Sequence, residues 1–211
     1  MNLETSKNLG GIGAILVAIG GLVTFGAGYA GLLSLIGIIL VFIAAKGLAD
    51  HYGEAGIFNN ALYALIMGII GVIASVGIAV FSFFQALADL GIDTTDWANV
   101  GPQLQQRLME GDMDFIWKLL GVFVLAWVVL SICVIIAVIF SRKSLDLASA
   151  KTGVGMFGTA GILMLIGGIL AIVAVGYLLI WIAWILIAVA FFSIKTTAAT
   201  PPQPPPPPSP S

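Results

Sequence analysis

The residues best suited to metal binding or catalysis are Asp50, His51 and Glu54. They stand close together in the sequence, between apolar segments near 30–45 and 61–84. On a helix, Asp50 and Glu54 are four residues apart and would share a face, with His51 nearby. Oxygen and nitrogen atoms in such an arrangement can bind a divalent metal. No recognised zinc or calcium spacing is present, so we favour a solvated loop at the membrane interface and expect no metal and no cofactor. Asn59 and Asn60 are predicted to cap the following helix.

A second polar cluster is acidic and lies in the long segment 89–118. It holds six of the ten carboxylates: Asp89, Asp93, Asp96, Glu110, Asp112 and Asp114. Only a fragment of a calcium-loop pattern is present, which disfavours cation binding. The segment is also partly amphipathic, which predicts that it lies along the membrane surface with Trp97 and Trp117 at headgroup depth.

Few other side chains could react. Cys133 is the single cysteine, and its position in an apolar segment predicts a buried, inert thiol. Ser34, Ser75 and Ser131 are expected to hydrogen-bond to their own helices, although small polar side chains of this kind can also line a passive pore. No nucleophile, base and orienting group can be placed together, so an enzyme is not expected. No basic run suggests nucleic-acid binding.

These polar residues are carried by a very apolar chain. Of its 211 residues, 60% are hydrophobic and only 9% are charged, and the mean hydropathy is +1.14. A soluble domain averages about 25% charged residues. The charged residues leave four uncharged stretches, 8–45, 55–88, 119–141 and 152–194. This composition excludes a water-soluble globular protein and indicates an integral protein of the lipid bilayer.

The stretches predict the number of crossings, because a membrane helix needs roughly 20 apolar residues. The two longest stretches must each hold two helices, separated at Gly26-Ala27-Gly28 and at Gly176. The sequence therefore predicts an all-α, polytopic transmembrane bundle over residues 1–195. Its six spans lie near 10–25, 30–45, 61–84, 119–140, 155–175 and 177–194. Without the break at Gly176 there would be five. A cleavable signal peptide is the alternative for the first segment.

The distribution of cations predicts the orientation of the chain, because Lys and Arg near span ends are retained in the cytoplasm. With six spans, one side carries Lys7, Lys46, Arg142, Lys143, Lys151 and Lys195. The other side carries Arg107 and Lys118. We therefore expect a multi-pass protein of the cell membrane with both termini in the cytoplasm.

Small residues follow one face of the third span at steps of three and four. They are Ala61, Ala64, Gly68, Gly71, Ser75, Ala79, Ser82 and Ala86. Membrane helices associate by close contact, which small side chains permit, so this stripe is predicted to pack against another helix. That helix could belong to the same chain or, in a homo-oligomer, to a second copy.

A weak internal repeat links residues 11–21 (GIGAILVAIGG) and 158–168 (GTAGILMLIGG). Shared Gly-rich composition explains it as well as a duplicated hairpin does, and duplicated hairpins occur in some transporters. The tail is of a different kind, since residues 201–211 read PPQPPPPPSPS. We predict that 196–211 is disordered. A polyproline ligand for a cytoplasmic partner is the alternative.

Four segments together resemble a known family: KNLGGIGAILVAIGG (7–21), KGLADHYGEAGIFNNAL (46–62), KTGVGMFGTAG (151–161) and IAWILIAVAFFSIK (182–195). They look like the small, largely archaeal membrane proteins of domain-of-unknown-function family nine hundred and ninety-six. The resemblance implies a multi-span membrane protein of unassigned function, and it brings no catalytic residues with it.

Two functional hypotheses follow. The first is a non-enzymatic structural or scaffolding protein, which agrees with the lack of charge inside the predicted spans. The second is a small channel or facilitator for an ion or neutral solute, which the repeat and the Gly-rich spans favour.

Overall fold

The computed structural model describes residues 2–23, 30–92, 94–173 and 175–195. Its helices are α1 (Leu3–Val23), α2 (Ala30–Tyr52), α3 (Ala55–Asp89), α4 (Trp97–Glu110), α5 (Met113–Thr152), α6 (Met156–Leu170) and α7 (Gly176–Phe192), with a short 3-10 turn at Ala171–Val173. No strand occurs in these ranges. The predicted break at 26–28, Asp93 and the tail 196–211 lie outside the described residues.

Within the described residues, four helical segments are long and apolar enough to cross a membrane. They are Gly31–Tyr52, Ala55–Asp89, Met113–Thr152 and Met156–Val173. The segment Gly176–Phe192 is also apolar but is shorter. The all-helical architecture is therefore confirmed, whereas six crossings stay a prediction.

Helices α3 and α5 extend well past the apolar segments from which they were predicted. Helix α3 begins at Ala55 rather than near residue 61, and α5 continues to Thr152 rather than ending near 140. At 1.5 Å per residue they are about 52 and 60 Å long, against about 30 Å for a bilayer core. Hydropathy indicates only the apolar part of each helix. The helix itself continues until the backbone conformation changes. Gly53 and Gly153, with φ of 63° and 72°, adopt the left-handed conformation next to these ends.

The break expected at Gly176 is present. Helix α6 ends at Leu170 and α7 begins at Gly176, so the last apolar stretch forms two helices. These two helices pack against each other. A Cβ atom at Gly176 would overlap the carbonyl oxygen of Gly167, so glycine is needed here for close approach of the two backbones.

The long helices pack as a closed ring. In order around it, α1 contacts α2, α2 contacts α3, α3 contacts α5, α5 contacts α6, α6 contacts α7, and α7 returns to α1. Helix α4 lies at one end of the ring, where Val100 packs in a small buried cluster with Leu87 of α3 and Ile92, and α4 also contacts α5.

Six helix termini meet at one end of the ring. Lys7 Nζ donates to the carbonyl of Ile194 at 3.0 Å, which joins the start of α1 to the segment after α7. The Ser144 hydroxyl donates to the carbonyl of Ile57 at 2.6 Å, which joins α5 to α3. We call this the basic end, because it carries Lys7, Lys46, Arg142, Lys143, Lys151 and Lys195. The opposite, acidic end carries Asp89, Asp96, Glu110, Asp112 and Asp114.

The largest buried side chains lie mostly towards the basic end. The rings of Phe157 and Phe191 meet edge to face there, with centroids 5.1 Å apart. Towards the other end, large apolar side chains point outward, and Leu32, Ile73 and Phe123 are each more than 60% exposed. Lipid tails are as apolar as these side chains, so this surface suits a bilayer better than water.

Candidate functional site

The loop predicted to hold a metal is a sharp turn between two helices. Helix α2 ends at Tyr52, Gly53 has a φ of 63°, and α3 begins at Ala55. Asp50 is therefore in the last turn of α2, whereas Glu54 is the N-cap residue of α3. The shared helical face that the metal hypothesis required does not form, because the left-handed glycine turns the chain between the two carboxylates.

Each of these carboxylates is bound by a lysine instead. Lys46 Nζ lies 2.6 Å from Asp50 Oδ1 one turn away on α2, and Lys151 Nζ lies 3.2 Å from Glu54 Oε2. The His51 ring meets the ring of Tyr52 edge to face, with centroids 4.9 Å apart. Among the described residues, no three metal-ligating side chains lie close enough to hold an ion.

The two asparagines do not cap α3, which corrects the prediction. The helix begins several residues before them, at Ala55, so both lie inside its first turns. The Asn60 amide donates to the carbonyl of Gly56 at 2.7 Å, within the helix. The residue at the cap position is Glu54, whose side chain makes no capping hydrogen bond. The carboxylate of Glu54 is engaged with Lys151.

A shallow cavity of about 290 Å³ opens beside this turn. Lys46, Asp50, Phe58 and Asn59 lie along it. The Lys46 ammonium also sits 5.5 Å from the centre of the Phe58 ring. The Lys46–Asp50 ion pair, the Asn59 amide and the Phe58 ring could together hold a small polar molecule. The ion pair has no net charge and is exposed, so it attracts a charged ligand only weakly.

At the acidic end, the side chain of Arg107 links three segments of the chain. Arg107 on α4 donates to the carbonyl of Leu90 after α3 at 2.7 Å and lies 2.9 Å from Asp112 Oδ2 before α5. Asp112 also accepts the backbone N–H of Phe115 at 3.2 Å. That hydrogen bond, helped by Arg107, holds the pKa of the Asp112 carboxyl below its usual value. The sequence offered one signal of this role, an arginine within the acidic segment.

Three other described carboxylates at this end also have partners, and Asp89 is exposed at the end of α3. The Asn99 amide donates to Asp96 at 2.7 Å, the Gln106 amide donates to Glu110 at 2.7 Å, and Lys118 Nζ lies 3.1 Å from Asp114. Trp97 and Trp117 are both largely exposed beside them. The acidic segment thus folds on itself, with Trp97 and Trp117 exposed and the ring of Phe115 buried.

The eight small residues of α3 form its covered face. None of Ala61, Ala64, Gly68, Gly71, Ser75, Ala79, Ser82 and Ala86 is exposed. A Cβ atom at Gly71 would come within 2.6 Å of Cys133 Cβ on α5. This contact, and the packing of α3 on α5, means that the stripe meets a helix of the same chain.

Ser75 and Ser131 differ in their hydrogen bonding. The Ser75 hydroxyl donates to the carbonyl of Val72 at 3.1 Å, within its own helix, as predicted. Ser131 on α5 is 1% exposed, and its hydroxyl oxygen has no hydrogen-bond partner among the described residues. Buried hydroxyls usually have partners, so Ser131 is the polar atom that packing alone leaves unexplained.

Apolar helices with charged residues gathered at both ends are compatible with a polytopic membrane protein. The chain belongs to the family described as Protein of unknown function (DUF996), whose model matches residues 33–185. It is similar to the Uncharacterized protein MJ1644 of Methanocaldococcus jannaschii, with 32% identity over 197 residues that cover 92% of this chain and 94% of the relative. No solved structure matches the chain.

Proposed function

We propose that this chain is a six-span integral membrane protein with a structural or scaffolding role and no enzymatic activity. In this arrangement every helix of the ring crosses the bilayer, and both termini are cytoplasmic. The charge distribution supports the orientation, because the end with six cations is the one that the positive-inside rule retains in the cytoplasm.

The observation that carries the proposal is the closeness of the helices at their glycines. A Cβ atom at Gly13 on α1 would lie 2.7 Å from the carbonyl oxygen of Gly37 on α2. A Cβ atom at Gly167 on α6 would lie 2.8 Å from the carbonyl oxygen of Gly176 on α7. Backbone contact of this kind gives fixed helix pairs, which suit a structural element.

A scaffold acts through partners, and two kinds are proposed here. One is a cytoplasmic protein that binds the proline-rich residues 201–211 as a polyproline helix. The other is a second copy of this chain. Since the small residues of α3 already face α5, a second copy would use the apolar side chains that point away from the ring, such as Ile73 and Phe123.

A small channel or facilitator is the second candidate, and Ser131 is the observation that favours it. A buried hydroxyl without a protein partner can bind water or a small neutral solute. This candidate differs from the first in requiring a path past Ser131 to both ends of the ring.

Flux measurements on the purified chain in liposomes distinguish the two candidates. For a scaffold, we expect the leak of potassium, chloride and glycerol to equal that of protein-free liposomes. Solute-selective flux that falls in Ser131→Leu but not in Ser75→Leu would overturn the scaffold proposal and establish the second candidate. Circular dichroism of both variants checks that the helices remain.

A further inference from the structure

An apolar groove runs between α1 and α7 on the outside of the ring. It encloses about 320 Å³. Ala18 and Ala188, both buried, lie deepest in it, and the exposed side chains of Ile15 and Val189 stand at its sides. Because alanine has only a methyl side chain, these two residues leave an open strip along the helix pair between their larger neighbours.

The groove offers no free polar group to an occupant. Trp181 also lines it, and the indole Nε1 of Trp181 donates to the carbonyl of Ala18 at 2.8 Å. The one side-chain nitrogen at this place is therefore satisfied by the backbone of α1. Whatever fills the groove must be held by contact with hydrocarbon alone.

The groove ends beside two lysines. Phe192 lines its basic end, and the Phe192 ring packs against Gly11 of α1. One turn further along α1 is Lys7, whose ammonium group lies 3.0 Å from the carbonyl oxygen of Ile194. Lys195, three residues after Phe192, is exposed. The groove thus ends near two lysines, Lys7 and Lys195, and one exposed carboxylate, Glu4 in the first turn of α1.

We propose that the groove between α1 and α7 binds a membrane lipid with an anionic headgroup, with one hydrocarbon chain along Ala18 and Ala188 and the phosphate beside Lys7 and Lys195. Charge complementarity decides for lipid over a second copy of the chain. A two-fold contact through this groove would bring the same lysines of both copies together, which is repulsive. A negatively charged lipid phosphate is attracted to them instead.

The inference requires insertion in a bilayer but not a scaffolding role. A flux result that overturned the scaffold proposal would leave the groove and its lysines unchanged. The two proposals therefore fail in separate experiments.

Quenching of tryptophan fluorescence tests the site directly. The probe is the full chain with Trp181 as its single tryptophan, after changing Trp97, Trp117, Trp127 and Trp184 to Phe. It is reconstituted in phosphatidylcholine with increasing mole fractions of phosphatidylglycerol brominated on its acyl chains, or of phosphatidylcholine brominated in the same way. We expect half-quenching at a mole fraction on the order of tenfold lower for the anionic lipid, since each lysine near the surface attracts it.

Three variants locate the effect. Lys7→Gln with Lys195→Gln is expected to make the two brominated lipids equal, whereas Lys143→Gln, at the same end but on α5, keeps the difference. Val189→Phe, at an exposed position in the groove, is expected to reduce quenching by both lipids without disturbing buried packing.

A chain with Trp127 as its single tryptophan is the control for general enrichment of anionic lipid around the protein. Trp127 is 37% exposed on α5, away from the groove, and should show no preference between the lipids. Equal quenching of Trp181 by both lipids, or the same preference at Trp127, would overturn the proposal. Circular dichroism and size-exclusion profiles confirm that each variant is folded.

Discussion

Glycines at the helix contacts matter because they have no Cβ atom, which allows the neighbouring helix to come close. Within the stripe of α3, Gly71 faces Cys133 of α5 with no room for a Cβ atom, whereas a Cβ atom at Gly68 would meet nothing within 4 Å. Two members of one sequence pattern therefore have different environments. Only the neighbouring helix distinguishes them.

We expect Gly71→Ala to lower the free energy of unfolding by about 1–3 kcal/mol, because the added methyl group must push α5 away. Gly68→Ala is the matched control, with an expected gain of about 0.5–1 kcal/mol from the better helix propensity of alanine. Unfolding midpoints in detergent measure both changes. Equal effects of the two substitutions would contradict the packing of α3 on α5.

Asp112 gives the acidic end a dependence on pH. Its pKa lies below the usual value of 3.8 because the carboxylate accepts the N–H of Phe115 and faces Arg107. A lowered pKa in the folded state stabilises the fold above pH 3.8, and this contribution is lost as the pH falls through the folded-state pKa.

Asp112→Asn should therefore lower the unfolding midpoint at pH 7, and the difference from the unsubstituted chain should shrink below about pH 3.8. Thermal unfolding followed by circular dichroism at several pH values measures this difference. Glu110→Gln, which alters a surface carboxylate bound by Gln106, is expected to leave the unfolding midpoint unchanged at every pH measured. A difference for Asp112→Asn that is constant across pH would count against a role for its charge.

At the scale of elements, the turn between α2 and α3 decides how the polar residues of the basic end are paired. Gly53 places Asp50 at the end of one helix and Glu54 at the start of the next. The salt bridge between Glu54 and Lys151 then links the start of α3 to the end of α5. Being partly exposed, this bridge stabilises the fold by about 0–1 kcal/mol. Its main effect is on which helix ends lie together.

Gly53→Ala is expected to cost about 1 kcal/mol of stability. A Cβ atom at this position meets nothing within 4 Å, so the cost comes from the left-handed backbone alone. Gly53→Asn is the control, because asparagine tolerates this conformation better and should cost less. Both are measured by thermal unfolding. If alanine and asparagine destabilise equally, the strain has another source.

At the scale of the whole molecule, the number of crossings decides on which side Lys195 lies. With six spans, Lys195 shares a side with Lys151, and the hydrogen bond from Lys7 to Ile194 fits that arrangement. With five spans it would lie opposite. Single-cysteine chains, made on a Cys133→Ala background, separate these topologies by labelling with a membrane-impermeant maleimide.

We expect Gln105→Cys on α4 to be labelled in intact cells, and Ala150→Cys and Lys195→Cys only after permeabilisation. The positions of Gln105, Ala150 and Lys195 are all exposed on the protein, so differences in labelling report the side of the membrane. Labelling of Lys195→Cys in intact cells while Ala150→Cys stays protected would exclude six spans. Labelling of Ala150→Cys and not Gln105→Cys would invert the proposed orientation.

The tail is tested at the same scale by deleting residues 197–211. The helical content should not change, because the ring of helices ends before this segment. The proteins that co-purify with the chain are expected to lose a cytoplasmic partner. An unchanged set of co-purified proteins would remove the support for a docking role.

Local sequence properties determined the helical architecture. Runs of apolar residues determined the class of the fold, because backbone polar groups in lipid must be satisfied within a helix or closed barrel. Gly176 correctly marked the break in the last run. The positions of Lys and Arg along the chain predicted that six of these eight residues lie at one end. Successive helices run in opposite directions, so every second connection between them lies at the same end.

Contacts between distant residues were decided only by the tertiary structure. Asp50 and Glu54 looked like one site because they are close in sequence, but a left-handed glycine separates them and Lys151 binds Glu54 from another helix. The groove between α1 and α7 joins residues more than 150 positions apart, and no local pattern encodes it. Sequence periodicity specifies which face of a helix is small or apolar, whereas the neighbour of that face depends on how all the helices pack together.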